Sequence, residues 1–412
     1  MKAKTPLKSY FSDARAAFVL FGVVVVGVLL FSEFATDRLN LYDFQVMYGA
    51  AEAYLSDEAV YGVPFGLKTG FYKYSPFTML AFTVYTLFTF KTAGVIHFLL
   101  IGACAIGSIL RLEQLFRQYC PPVRKRTFWL LLAVFLSVFV HFFRDIHLGN
   151  INIVLVFLLT VALQLAIRDR SKSAGLILAF VIMAKPYFLV CGLPFLAFGR
   201  WKVILSTVVW VSFFIGVTVL VIGWSESLRL HQEWFTAMMD HSSYLRSSHT
   251  LFSLCATYLG VNVPSRYAFY LFPVMALLLI YLIDRMTKRL VKIGVDEGEV
   301  KLQGLLMLFF LLMALIPGIF ITDTEHFLFS LPLIVHCCFQ RRHTSWWWVV
   351  LLVMILVLYG GNSSDLLGKD LSVKVDQWGL LGISNVMLIG LSLRWFVHIE
   401  NVTLKREAIK PR

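Results

Sequence analysis

Apolar residues in this chain gather into long runs separated by short polar loops, at lengths close to the roughly 20 residues a helix needs to span a bilayer. Such runs occupy positions 16–34, 93–112, 127–143, 150–167, 203–223, 264–283, 302–320, 326–339, 346–359 and 378–397. One more, 173–198, is too long for a single span and carries Lys185-Pro186 in its middle. Proline disfavours helical geometry at the residue before it, so this run predicts two helices that turn at Lys185. The pattern as a whole predicts an all-α, polytopic membrane protein of about 12 transmembrane helices, one domain over 1–412 without linker or internal repeat.

Two stretches depart from the spanning pattern. Over 224–263 the chain is amphipathic and reads as a long outer loop. Over 37–92 it holds a short helix signal in which Phe44, Met47, Tyr48, Ala51, Tyr54 and Leu55 fall on one face. Such a helix is expected to lie in the membrane interface with Asp43 at its first position. Asp43 is then either a plain N-cap or a functional carboxylate at the mouth of a membrane helix.

The segment 76–90 decides all later topology. It is apolar, but about fifteen residues reach only about 22 Å at helical rise, against a hydrocarbon core of about 30 Å. Treated as an interfacial or re-entrant piece, it leaves 26 of the 37 Lys and Arg residues on the inner side; treated as a span, it leaves 12. Cytoplasmic loops carry the excess of Lys and Arg, so the non-crossing reading holds. The clusters Arg124-Lys125-Arg126, Arg168 to Lys172 and Arg341-Arg342 are then cytoplasmic, as are both termini. The first run is too long for a signal-peptide core and reads as a retained anchor.

Composition agrees with this class. Hydrophobic residues make up 59% and charged residues 15%, with mean hydropathy +0.77. Those values exclude an ordinary soluble domain. The net charge of +13 sits in the loops that orient the chain, so nucleic acid is not an expected partner. Six cysteines, mostly within apolar runs, show neither metal spacing nor a disulfide framework.

With this topology the unusual polar groups fall on the outer face: Asp43, the stretch Arg144 to Asn152, Lys185, the stretch Thr322 to His326, and His231, His241, Arg246 and His249 on the later loop. Polar groups at the lipid boundary are costly unless they meet water or a substrate. Each also has a plainer role. Lys185 snorkels to headgroups or meets a phosphate. Arg144 pairs with Asp145 or serves the same anion. Gly149, Asn150 and Asn152 cap a helix or bind sugar hydroxyls. His326 is structural, binds the phosphate or tunes Asp43. His141, His147, His231, His241 and His249 form no metal-spaced cluster, and no metal is expected.

These motifs carry a resemblance. Asp43 opening "Asp-Phe-x-Val-x-Tyr-x-Ala-Ala", then Tyr72-Lys73-Tyr74-Ser75-Pro76, Gly149-Asn150-x-Asn152, Lys185-Pro186 and Glu325-His326 before Leu331-Pro332 resemble membrane glycosyltransferases of the GT-C fold. The nearest likeness is to family 87, the polyprenol-phosphate-mannose-dependent mannosyltransferases. Two departures stand out. Asn150 replaces the usual glutamine, and Thr324 and Glu325 replace expected aromatic or histidine positions.

The resemblance implies inverting transfer of a sugar, mannose above all, from a polyprenyl-phosphate donor to a glycolipid or lipid-anchored glycan. It places the work on the extracytoplasmic side of the plasma (inner) membrane. It casts Asp43 as general base, Lys185, Arg144 and His326 as donor-phosphate ligands, and Gly149, Asn150, Asn152, Tyr74 and Glu325 as sugar or acceptor contacts. The lipid-linked donor is a substrate, and no cofactor is implied. The other classes that fit twelve spans are a transporter or lipid flippase and an O-antigen-ligase-like transferase. Against the first stands the lack of a repeat between halves; against the second, the lack of an arginine-rich outer loop.

Overall fold

The computed structural model describes residues 13–66, 70–120, 124–244, 247–264, 267–320, 323–340 and 346–408. Arg246, Thr322 and Arg341-Arg342 lie outside them, as does the side chain of His241. The described chain is a bundle of helices. It opens with α1 (Asp13–Ala35), then α2 (Tyr42–Leu55) and α3 (Pro76–Phe82), followed by α4 (Phe90–Tyr119), α5 (Phe128–Leu148), α6 (Asn152–Ile167) and α7 (Ser171–Ala184). After the break come α8 (Leu193–Ala197), α9 (Trp201–Ile222), α10 (Trp224–Tyr244) and α11 (Leu251–Leu259). The last part holds α12 (Ala268–Lys292), α13 (Glu297–Phe320), α14 (Leu331–Phe339), α15 (Trp346–Gly360), α16 (Ser364–Leu367), α17 (Lys369–Gln377) and α18 (Leu380–Ala408).

Each apolar run read from the sequence is helical, but the runs are unequal. Among the described residues, six helices are long and apolar enough to cross a membrane: α1, α4, α5, α9, most of α12, and α13. Seven shorter apolar helical segments pack among them, including 3₁₀ turns over Pro186–Gly192 and Thr324–Ser330 that lead into α8 and α14. Burial sorts these helices. α13 is apolar on every side and 94% of its spanning window is buried, which places it at the centre. α1 and α9 are only 22% buried there, with Leu20, Phe31 and Leu220 turned outward as lipid-facing surface.

The turn at Lys185 is as the proline requires. α7 stops at Ala184, Lys185 is extended (φ -139°, ψ 99°), and Pro186 opens the next turn. The segment 76–90 is broken into α3 and a 3₁₀ turn over Thr83–Leu87. Both of its ends are tied to the same part of the molecule. Tyr61 donates to the Tyr74 carbonyl at the entrance (2.8 Å), and Tyr48 donates to the Phe88 carbonyl at the exit (2.9 Å).

α2 departs from the expected interfacial helix. Phe44, Val46, Met47, Tyr48, Ala50 and Ala51 are buried against the bundle, while Leu55 is exposed, so most of the apolar face meets protein and not lipid. The reason is aromatic packing. Phe44 stacks on His97 of α4 at 4.5 Å and meets Tyr85 edge-on at 5.1 Å.

The far end of α4 is fixed by charge. Glu113, fully buried, is held by Arg15 of α1 (3.0 Å), Arg117 (2.6 Å) and Arg126 before α5 (2.8 Å). Removing that carboxylate leaves three guanidinium groups facing one another, a loss of about 3–5 kcal/mol for a buried pair. His97, toward the other end of α4, lies about 24 Å away at helical rise. The molecule therefore has a basic end and, opposite it, the end that carries α2 and Gly149.

Candidate functional site

Gly149 sets the geometry of that second end. It caps α5 in the left-handed conformation (φ 68°), and a Cβ there meets Phe44 Cβ at 2.7 Å and Leu41 Cβ at 3.1 Å. Only glycine lets the start of α2 press this closely on the end of α5. Leu41, itself left-handed at φ 43°, seats against Gly94 of α4 in the same way. The Gly149 carbonyl accepts from His97 Nε2 (3.0 Å), which leaves Nδ1 to accept from the Tyr85 hydroxyl (3.1 Å).

The close approach brings Asn150 to Asp43. Asn150 Nδ2 donates to Asp43 Oδ2 at 2.6 Å, and its Oδ1 accepts the Ile151 amide at 2.8 Å. Asp43 is the second residue of α2, not the first, and it is not the cap. Leu41 holds the N-cap position with no side-chain hydrogen bond. Desolvation raises the Asp43 carboxyl above its ordinary value, against the pull of Lys185 and the Asn150 hydrogen bond.

The two asparagines do not cap α6 with their side chains either. Asp145, fully buried on α5, accepts from Asn152 Nδ2 (2.8 Å) and from the Ile153 amide at the start of α6 (3.1 Å). Asn152 Oδ1 then accepts from Lys185 Nζ (2.5 Å). Arg144 therefore does not take Asp145 as its ion-pair partner. It turns to Glu325 (2.9 Å) and Asp323 (3.5 Å).

Lys185 is only 8% exposed and lies 3.2 Å from His326 Nε2. Its ammonium thus points inward and does not snorkel. Burial lowers its pKa, while Asp145, Glu325 and Asp43 act to raise it. His326 Nδ1 donates to the Asp323 carbonyl (3.2 Å). That tautomer leaves Nε2 to accept from Lys185. Tyr74 borders the same group. Desolvation, then Asp43, Asp145 and Glu325, raises its phenol well above the usual range and keeps it an O–H donor.

Of the nine residues read from the sequence as site candidates, eight are linked by hydrogen bonds, an ion pair or chain adjacency across α2, the end of α5, the α5–α6 turn, the α7 break and the turn before α14, and Tyr74 of the 70–75 loop interacts with them electrostatically. Three members escaped that reading: Asp145, Asp323 and Lys73. The first two sit inside the polar stretches already noted, but nothing in their spacing separates a buried ligand-holder from a surface acid. Lys73 acts electrostatically on Asp43, and its own pKa is lowered by burial. Its carbonyl accepts from Trp234 of α10 (3.0 Å), which joins the second long loop to the first.

Other histidines, in the 224–263 stretch, do other work. His231 bonds within its own helix to the Ser227 carbonyl, and His249 pairs with Asp376 beside α18 (2.8 Å). Donor atoms of Asp323, Glu325 and His326 lie within 4.8 Å of one another, a grouping that suits a cation. Arg144 and Lys185 already place positive charge on these same three side chains.

The family model for glycosyltransferase family 87 matches residues 71–317, well over half of the chain, and the chain belongs to that family. No curated protein matches it. The matched region contains Tyr74, Arg144, Gly149, Asn150, Asn152 and Lys185 and leaves Asp43, Glu325 and His326 outside. The chain is a polytopic, all-helical membrane glycosyltransferase.

Proposed function

We propose that this cluster transfers a sugar, mannose above all, with inversion from a polyprenyl-phosphate donor to a hydroxyl of a glycolipid or lipid-anchored glycan. Asp43 takes the proton of the attacking hydroxyl. The oxygen joins the anomeric carbon as the bond to the phosphate oxygen breaks, and its electron pair leaves with the phosphate. Lys185, with Arg144 and His326, offsets that charge. One observation carries the reading: a half-buried carboxylate and a buried ammonium are held in one cluster by neighbouring asparagines, through Asn150 to Asp43 and Asn152 to Lys185. An inverting transfer needs base and leaving-group charge in fixed relation.

The prenyl tail has a surface suited to it. α3 packs on α7 and α9, with Phe77 stacked on Phe214 at 4.1 Å and Thr78 bonded to the Met183 carbonyl. Val84 and Leu87 in the turn after α3, and Leu189 four residues after Lys185, are exposed apolar side chains available to such a tail. The deciding experiment incubates purified protein with radiolabelled polyprenyl-phosphate mannose and candidate glycolipids. Transfer of label to a lipid product supports the reading; no consumption of the labelled donor with any of the acceptors overturns it.

The side of the membrane is tested separately. Lys91 and Lys125 are both exposed, near opposite ends of α4. On a cysteine-free background, Lys91→Cys is expected to react with an impermeant thiol reagent on intact cells and Lys125→Cys to stay protected. The reverse pattern places the cluster on the cytoplasmic side.

A further inference from the structure

Tyr187 follows the Lys185-Pro186 break, inside an apolar stretch where it reads as one more core aromatic. Its ring is fixed, 4.9 Å from Phe188 and 6.1 Å from Phe329, and the same Phe329 ring packs on His326 at 5.7 Å. The phenol is therefore delivered to the edge of the Lys185–His326 cluster by a rigid wall. Its hydroxyl is buried and has no hydrogen-bond partner among the described residues. Buried hydroxyls are ordinarily satisfied, and one left open beside a site marks a place for a ligand's polar atom.

The surroundings indicate what kind of atom. Tyr74, Glu325 and Asp145 act electrostatically on this hydroxyl. A phosphate placed there meets carboxylates, whereas a neutral polyol donates to the carboxylates and accepts from the phenols. Lys185, two residues earlier, points instead to Asn152 and His326. We infer that Tyr187 binds the transferred sugar, its hydroxyl donating to a sugar hydroxyl, while the neighbouring Lys185 serves the phosphate. This rests on the polyprenyl-phosphate-sugar reading above.

Tyr187→Phe removes the hydroxyl and keeps the ring, so the thermal midpoint in detergent is expected to be unchanged or higher. Binding is measured for two ligands, polyprenyl-phosphate mannose and sugar-free polyprenyl phosphate. The variant is expected to bind the first about tenfold more weakly and the second as the wild type does. Equal weakening of both assigns Tyr187 to the phosphate and overturns the inference, as does no change in either. Failure of the wild type to bind either ligand overturns the donor reading itself, and the inference with it.

Discussion

Asp43→Asn is expected to fold normally and to lose transfer by about 100- to 10,000-fold, the range that general-base catalysis contributes. Asparagine keeps an oxygen that accepts from Asn150 Nδ2, which lies 2.6 Å from the native carboxylate, so the contact between α2 and the α5–α6 turn survives. What it cannot do is take a proton from the acceptor. Turnover with labelled donor, alongside the thermal midpoint, separates the two effects. Near wild-type turnover in the variant removes Asp43 from the role of base. The wild-type pH profile provides an independent check. A base works only when deprotonated, and burial raises this carboxyl, so activity should rise with pH through a midpoint above the ordinary carboxylate value.

Lys185→Ala is the second large effect. The ammonium lies between Asn152 Oδ1 and His326 Nε2, and no other basic side chain among the described residues bonds to both. Alanine leaves Asp145 and Glu325 without this neighbouring charge and removes the proposed partner of the departing phosphate. Turnover is expected to fall by about 100-fold or more, as when one member of a buried charged pair is truncated. Affinity for sugar-free polyprenyl phosphate should fall with it, the opposite of the expectation for Tyr187→Phe. Charge alone predicts that Lys185→Arg is partly tolerated. At 8% exposure the site gives a guanidinium little room, so its rescue should be incomplete. Unchanged donor affinity and turnover in the alanine variant would make Lys185 a structural cation.

Much of the architecture is written in local pattern. Span positions follow from apolar run length, because a bilayer-spanning helix has a minimum reach. The break at Lys185 follows from Pro186, whose ring constrains the residue before it wherever the pair stands. The charge asymmetry and the shortness of 76–90 likewise need no tertiary information. Most of the cluster was legible for a related reason: polar side chains are scarce in apolar surroundings, and Asp43, Arg144, Asn150, Asn152, Lys185, Glu325 and His326 stand out singly.

Their pairing was not legible. Whether Arg144 takes Asp145 or Glu325, whether the asparagines cap α6 or bridge Asp43 to Lys185, and whether α2 faces lipid or protein depend on contacts between residues far apart in the chain. Asp43 and Asn150 are 107 positions apart, and Lys185 and His326 are 141 apart. The close approach at Gly149, where a single Cβ would overlap Phe44, decides the first of these contacts. Tyr187 is the extreme case. In the sequence it is an aromatic among aromatics, and only the folded bundle leaves its hydroxyl buried without a partner among the described residues, because burial of one polar atom is a property of the assembled bundle and not of any local run.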